Sequence, residues 1–339
     1  MCAKRLGAAT LRIERAPGVL ASACVAGKKE GEGPLKRFFD YISPDAWFGE
    51  KSWEKAESTM LRKCFALACD KADIVASSLD FILSGDLLNQ CAGSAYALRD
   101  SGAPYFGLYG ACSTMAEALC LGVLLIDGGA GEKVAALTSS HFCSAERQFR
   151  FPLEYGSVRT PTSQWTATAA GAVILAADAP APYITRVTPG RIVDAGVTDT
   201  SNMGAAMAMA AADTLSRHFA DTARAPDYYD AVLTGDLGKV GSEILAELLS
   251  MRGITLGARH MDCGVLIFDA ERQGVCSGGS GCGCSASVLS GYVLDNMRAG
   301  VWKRVLFAAT GALMSPTTSL QGESIPGICH AAALEMERC

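Results

Sequence analysis

Asp80-Phe81-Ile82-Leu83-Ser84-Gly85-Asp86-Leu87 returns 150 residues later as Asp230-Ala231-Val232-Leu233-Thr234-Gly235-Asp236-Leu237. Each copy is an apolar run closed by a glycine and an acid, the pattern of a buried strand leaving a sheet through a tight turn. A second echo follows in the same order. Gly110-Ala111-Cys112-Ser113 opens an Ala- and Leu-rich helical stretch that leads to the apolar run Lys133–Thr138. Gly283-Cys284-Ser285-Ala286 opens another, ending near Arg298, that leads to Arg304–Thr310. Two echoes in one order indicate a duplicated β–α–β unit. The second echo is offset by 172 residues, so the second copy carries an insertion, placed at His260–Val275. Strands that are apolar throughout are covered on both faces. The expected fold is therefore α/β: two duplicated halves with pseudo-twofold symmetry, built from layered helices and mixed sheets. The Pro- and Ala-rich stretch Ala177–Pro182 divides an N-terminal half, residues 1–178, from a C-terminal half, residues 179–339.

The bulk properties agree. In a chain of 339 residues, 50% are hydrophobic and 19% charged, which supports a large core and excludes a disordered chain. A formal net charge of -5 gives nucleic acid no overall basic surface. Any anionic ligand needs a local cationic pocket. Met1–Thr10 holds no apolar signal region, and the longest apolar stretch, Ala118–Ile126, is too short to span a bilayer. The 14 cysteines read as buried free thiols of a reducing, cytoplasmic compartment. A helix is expected over Ser52–Lys71, with Trp53, Ala56, Met60 and Cys64 at helical spacing.

Cys112 draws the chemistry. It follows a strand-like run, Tyr105–Tyr109, and a glycine turn, and it opens a helix. Unpaired N–H groups and the helix dipole at such a place favour thiolate, the form an acyl-accepting nucleophile needs. His260, two residues before Asp262, is the candidate partner base. The alternative for Cys112 is a small buried hydrophobe, the commoner fate of a cysteine. A second polar group spans His141–Arg159, where His141, Arg147, Arg150 and Arg159 face Glu146 and Glu154. Arginine grips carboxylates through two parallel hydrogen bonds, and Phe149, Phe151 or Tyr155 could stack on a flat ring. Internal Arg–Glu pairs are the structural alternative. Asn89 and Gln90 follow a strand end, where α/β folds build sites. Asp86 and Asp236 follow strand ends too, and there capping of the next helix is the expected role. Cys276, Cys282 and Cys284 lack the paired spacing of a zinc knuckle, so no metal site is expected. Gly278-Gly279-Ser280-Gly281 lacks the lysine of a phosphate loop and reads as a turn.

Duplication together with Ala-Cys-Ser at a helix start resembles the thiolase and ketoacyl-synthase superfamily. Closer text is shared with its sporulation branch: Gly85-Asp86-Leu87-Leu88-Asn89-Gln90, Gly110-Ala111-Cys112-Ser113-Thr114, Thr138-Ser139-Ser140-His141, Ala145-Glu146-Arg147-Gln148-Phe149-Arg150 and Glu154-Tyr155-Gly156. Asp262-Cys263-Gly264, Gly278-Gly279-Ser280-Gly281-Cys282 and Thr310-Gly311-Ala312-Leu313 continue it, so it runs from about Gly27 to the C-terminus. The resemblance implies a thiolase-like fold. It implies a protein that binds dipicolinic acid, a pyridine with two carboxylates, and supports its uptake into the developing spore. It implies partners among the stage V sporulation membrane proteins and a peripheral place at the forespore or spore inner membrane. It implies a homodimer and no cofactor beyond calcium accompanying dipicolinate. Condensing enzymes of the superfamily set a histidine after the strand that here is Ala231–Thr234. This chain has Gly235-Asp236 there, and Gly283-Cys284 near the position of a further polar group. The expected site is a degenerate cleft between the halves, with Arg147, Arg150, His141, Asn89, Gln90 and Cys284 around the ligand. The alternative is a working acyltransferase or condensing enzyme with Cys112 as nucleophile and His260 in the histidine's place.

Overall fold

The computed structural model describes residues 4–149 and 159–338. Ten strands among these carry the architecture: β1 (Gly18–Ala26), β2 (Phe81–Gly85), β3 (Tyr105–Gly107), β4 (Lys133–Ser140) and β5 (Ala169–Ala176), then β6 (Tyr183–Thr188), β7 (Ala231–Thr234), β8 (His260–Asp262), β9 (Arg304–Ala312) and β10 (Gly327–Glu335). Their order across the sheet is β8-β7-β9-β10-β6-β1-β5-β4-β2-β3. That order is a palindrome. In each half the second strand lies parallel between the third and the fourth, and the fourth, fifth and first follow antiparallel. Between the ten strands the halves meet at Tyr183 against Gly18, and the short strand Leu11–Arg12 of the first half adds Arg12 against Arg186 and Leu11 against Val187. The 80/230 echo is thus the pair β2 and β7, and the second echo ends in β4 and β9.

Helices fill three layers around these strands. Thr114–Asp127 is apolar on nearly every side, the mark of a helix enclosed by protein. It packs on β4 and β2 of its own half and on β9 and β10 of the other. Cys282–Val288 crosses over in the same way, lying on β5, β4 and β1 of the first half. Outside, Trp53–Ala72 covers β1, β5 and β4, and Met203–Thr222 covers β9 and β10. The main core therefore draws Leu119, Val123, Val173, Leu233, Phe307 and Leu289 from both halves. Gly171 permits the crossover: a Cβ there would stand 2.2 Å from the Ala286 carbonyl oxygen.

The insertion begins later than the sequence suggests. His260–Asp262 is β8, the counterpart of β3, and not inserted material. The added residues run from Cys263 to Gly281 and hold two short helices and a two-residue strand paired with Trp165–Thr166. A three-residue strand is too short to show periodicity, which is why it was missed. Among the described residues, no helix is long and apolar enough to cross a membrane.

Candidate functional site

Cys112 sits where both halves converge. It belongs to the single 3-10 turn Ala111–Ser113 that precedes the helix Thr114–Asp127. Ala111 is held at φ 49°, a left-handed conformation that costs a residue with a Cβ about 1–2 kcal/mol. The turn rests on β9: a Cβ on Gly311 would meet the Gly110 carbonyl oxygen at 2.3 Å. The Cys112 thiol lies 3.9 Å from the Ser280 hydroxyl, with Asp236 beside them. Asp236 closes the β7 end of the site. One of its oxygens accepts from Ser280 Oγ at 3.0 Å and from the Gly281 N–H at 2.8 Å, and the other accepts from Thr310 Oγ1 at 3.0 Å. Asp236 therefore does not cap the helix that follows it; Asp262 does so, accepting from the Leu237 and Gly238 N–H groups. Asp86 does cap, accepting from the Ser94 N–H.

The electrostatics reverse the expectation for the thiol. Burial, and next the Asp236 carboxyl, push Cys112 well above the usual thiol range. A cysteine at a helix start is activated only when cations or free N–H groups outweigh burial, and here an acid takes the facing position. Asp236 is itself pushed up to about 6 by burial, against the hydrogen bonds it accepts. Well below that pH a neutral thiol faces a neutral acid. Iodoacetamide at pH 7, followed by peptide mapping, should modify Cys143 and Cys276 first among the described cysteines, because both are only half-buried. Labelling of Cys112 as fast as Cys143 would contradict the geometry.

The crevice above Cys112 holds only about 40 Å³, between Leu87, Tyr109, Thr166, Met203 and Met314. Glu146 forms part of its wall; it accepts from Thr166 Oγ1 at 2.8 Å and pairs with Arg159 at 3.5 Å. Arg159 lies 4.6 Å over the Trp165 ring. No lysine or arginine lines the crevice among the described residues.

The other expected site residues are dispersed. His141 is buried, with Nε2 on the Ala46 carbonyl at 2.7 Å and Nδ1 accepting from the Cys143 N–H, so both nitrogens are used and burial lowers its pKa. Arg147 pairs with Glu54 of the outer helix. Asn89 and Gln90 are exposed, and the Asn89 N–H donates to Gln148. His260 bonds Thr234 Oγ1 at 2.9 Å, and Thr234 donates to Asp262. That chain belongs to the outer end of the second half. Burial lowers His260 to about 4. Cys284 is enclosed in the main core, whereas its neighbour Cys282 packs against Cys112 and donates to the Ser139 carbonyl at 2.9 Å. Arg150, Phe151, Glu154, Tyr155 and the Phe149 side chain lie outside the described residues. Among the described residues, no group of three His, Cys, Asp or Glu side chains is placed to hold a metal. The residues that meet at Cys112 but were not singled out as its partners are Asp236, Ser280, Glu146 and Thr166. For Asp236 the signal was its place one residue past the β7 turn glycine.

The comparisons agree on the fold. The structure is similar to 3-oxoacyl-[acyl-carrier-protein] synthase III from Aquifex aeolicus, at 12% identity and a TM-score of 0.54, covering 94% of this chain and 99% of that one. It is also similar to cerulenin-bound OleA of Xanthomonas campestris, at 13% identity and a TM-score of 0.60, covering 94% and 97%. The fold is therefore thiolase-like. The sequence is 41% identical over 332 residues to stage V sporulation protein AD of Bacillus subtilis strain 168, covering 98% of each chain. The profile of the family described as stage V sporulation protein AD matches residues 7–335. With that profile spanning nearly its whole length, the chain belongs to the stage V sporulation protein AD family.

Proposed function

We propose that this sporulation protein is a non-catalytic binder of dipicolinate that supports its uptake into the developing spore. The observation that carries the non-catalytic half is Asp236 against Cys112. An acid offers a thioester carbonyl no imidazole to take up or return a proton, and it opposes thiolate at the reacting sulfur. A condensing cycle whose thiol is held protonated and whose developing charge meets no imidazole loses several orders of magnitude in rate. The ligand half rests on the family resemblance: membership in a sporulation family and a thiolase-like scaffold kept without its catalytic pair.

The companion proposals are a peripheral position at the spore inner membrane, among the other stage V membrane proteins, and a homodimer. For the dimer, β3 pairs on one side only among the described residues, with β2, and Phe106 is 50% exposed beside that edge. A second copy could add its own edge there. Sedimentation that finds only monomer at micromolar protein removes this part.

Titration calorimetry should register dipicolinate binding, and incubation with an acyl-coenzyme A should leave the intact mass unchanged. No heat at millimolar dipicolinate would refute the binding reading. An acyl adduct lost in Cys112→Ala would favour the acyltransferase alternative, for which the thiolase-like fold is the supporting observation.

A further inference from the structure

The duplication leaves one pair of corresponding places unequal in charge. Asp80 accepts from the Glu132 and Lys133 N–H groups where β4 begins, and Asp230 accepts likewise from the Lys303 and Arg304 N–H groups where β9 begins. Lys133 stands opposite Ala176 in register, and Arg304 stands opposite Glu335. Lys303 therefore corresponds to Glu132, and Arg304 to Lys133. In the first half Glu132 pairs with Arg15 at 2.9 Å, so a cation and an acid answer each other there. In the second half a lysine replaces that acid. Among the described residues, neither Lys303 nor Arg304 has an acidic side chain within ion-pair distance.

Glu335, across the strands from Arg304, is buried and already engaged. It accepts from Arg224 at 2.7 Å, from the Tyr228 hydroxyl at 3.1 Å and from Thr185 Oγ1 at 2.8 Å, and it pairs with Arg186 at 3.5 Å. The Arg304 guanidinium lies instead 4.4 Å from the centre of the Tyr228 ring, which Arg224 approaches to 4.0 Å. Its Nε–H is buried and, among the described residues, has no acceptor, a costly state for a charged donor. The cluster is cationic enough to be felt at His218, which burial first, and then Arg224 and Arg186, push down to about 3. These groups wall a cavity of about 280 Å³ lined by Tyr228, Lys303, Arg304, Glu335, Met336 and Glu337, the last an exposed residue of the rim. It lies at the opposite end of β9 from Gly311, on which the Cys112 turn rests, so it is a separate place from the crevice.

We propose that this cavity binds a phosphate group, carried by a small ester or by a lipid headgroup. Its volume, near the lower bound of about 300 Å³ for small-molecule sites, suits a compact ligand. A phosphate monoester brings a charge of about -1.5 to -2 at pH 7 and three acceptor oxygens in different directions. Arg304 grips two of them through its fork, Nε–H included, and Lys303 meets the third as a point charge. A carboxylate, flat and singly charged, leaves one of the two cations unanswered. The proposal stands apart from the dipicolinate reading and does not depend on it.

Calorimetry on the full chain in phosphate-free buffer tests it, with inorganic phosphate and glycerol phosphate as probes and acetate as the carboxylate control. Flotation with phosphatidylcholine vesicles carrying phosphatidate tests the headgroup source. Arg304→Gln should weaken phosphate binding at least about tenfold, because it removes a charge-assisted fork. Lys303→Ala, a change at an exposed side chain that leaves the fold alone, should weaken it a few-fold. Lys133→Ala, at the corresponding place of the first half, should bind as wild type does, and a thermal melt checks that each variant is folded. Heat from the soluble probes without flotation assigns a soluble ester. Flotation that is lost in Arg304→Gln assigns a lipid headgroup. No heat at millimolar phosphate or glycerol phosphate together with no flotation would overturn the proposal. So would binding that is equal in wild type, Arg304→Gln and Lys303→Ala, or acetate binding as tight as phosphate.

Discussion

Gly171→Ala should cost the protein at least about 3 kcal/mol, the upper end of what a single small-to-large change does. The added methyl would stand 2.2 Å from the Ala286 oxygen, 2.3 Å from its carbonyl carbon and 2.8 Å from the Ser287 nitrogen. All three are backbone atoms, so no rotamer change relieves them. The same approach is seen from the helix, where a Cβ on Gly283 would fall 2.0 Å from the Ala169 oxygen. Strand β5 and the helix Cys282–Val288 would have to part along their whole contact. Even a gap of about 1 Å forfeits much of the dispersion attraction across it. The measurement is a chemical-denaturation midpoint, or soluble yield if the variant does not accumulate. A variant that unfolds within about 1 kcal/mol of wild type would show that the two backbones do not approach as described.

The second large effect concerns Asp236. Asp236→Ala removes the acceptor for Ser280, the Gly281 N–H and Thr310 together, inside a site without bulk water. Each stranded donor costs about 1–3 kcal/mol, so a loss of about 3–5 kcal/mol is expected. Asp236→Asn keeps the shape and an acceptor, and it separates charge from hydrogen bonding. The carboxyl is raised to about 6 in the folded chain, against about 3.9 when unfolded. Its favourable contribution is complete below the unfolded value and is lost as pH rises through about 6. Glu30 and Asp262, both raised to about 7 by burial, act with the same sign. Wild type should therefore lose ground to Asp236→Asn as pH goes from 5 to 8, by about 1.4 kcal/mol at that one site, the other half of the effect lying below pH 5. Parallel urea melts at the two pH values test this. A constant difference between the two proteins would mean that Asp236 does not titrate in this range.

Much of the scaffold was legible because it is periodic and repeated. The eight residues at 80–87 and their echo at 230–237 are long enough to mark β2 and β7, and the order of the two echoes fixed the α/β class. The helix expected at Ser52–Lys71 is observed at Trp53–Ala72. The site was less legible, because its partners are not neighbours in the chain. Cys112 meets Ser280 across 168 residues, and no local pattern encodes that meeting. The sequence located Asp236 where a histidine would stand in an enzyme, yet the acid was taken for a helix cap. Its hydrogen bonds run to Ser280, Gly281 and Thr310, residues known to be near only once β7 and β9 are paired. His141 and His260 looked functional as rare polar residues in an apolar chain. In the fold they satisfy a half-buried carbonyl and a buried hydroxyl.

The crosswise helices have a consequence for how the chain is made. A ribosome completes β5 at Ala176 more than a hundred residues before it adds Val288. Throughout that interval the inner side of β1 and most of β5 lacks its cover, although the outer helix Trp53–Ala72 and the helix Thr114–Asp127, which packs on β4, already exist. The gene can be read as two repeats, but its first repeat is an unfinished object until the last third of synthesis. Chaperone holding of the nascent chain, more than any pause between independent modules, is the folding problem that this arrangement poses.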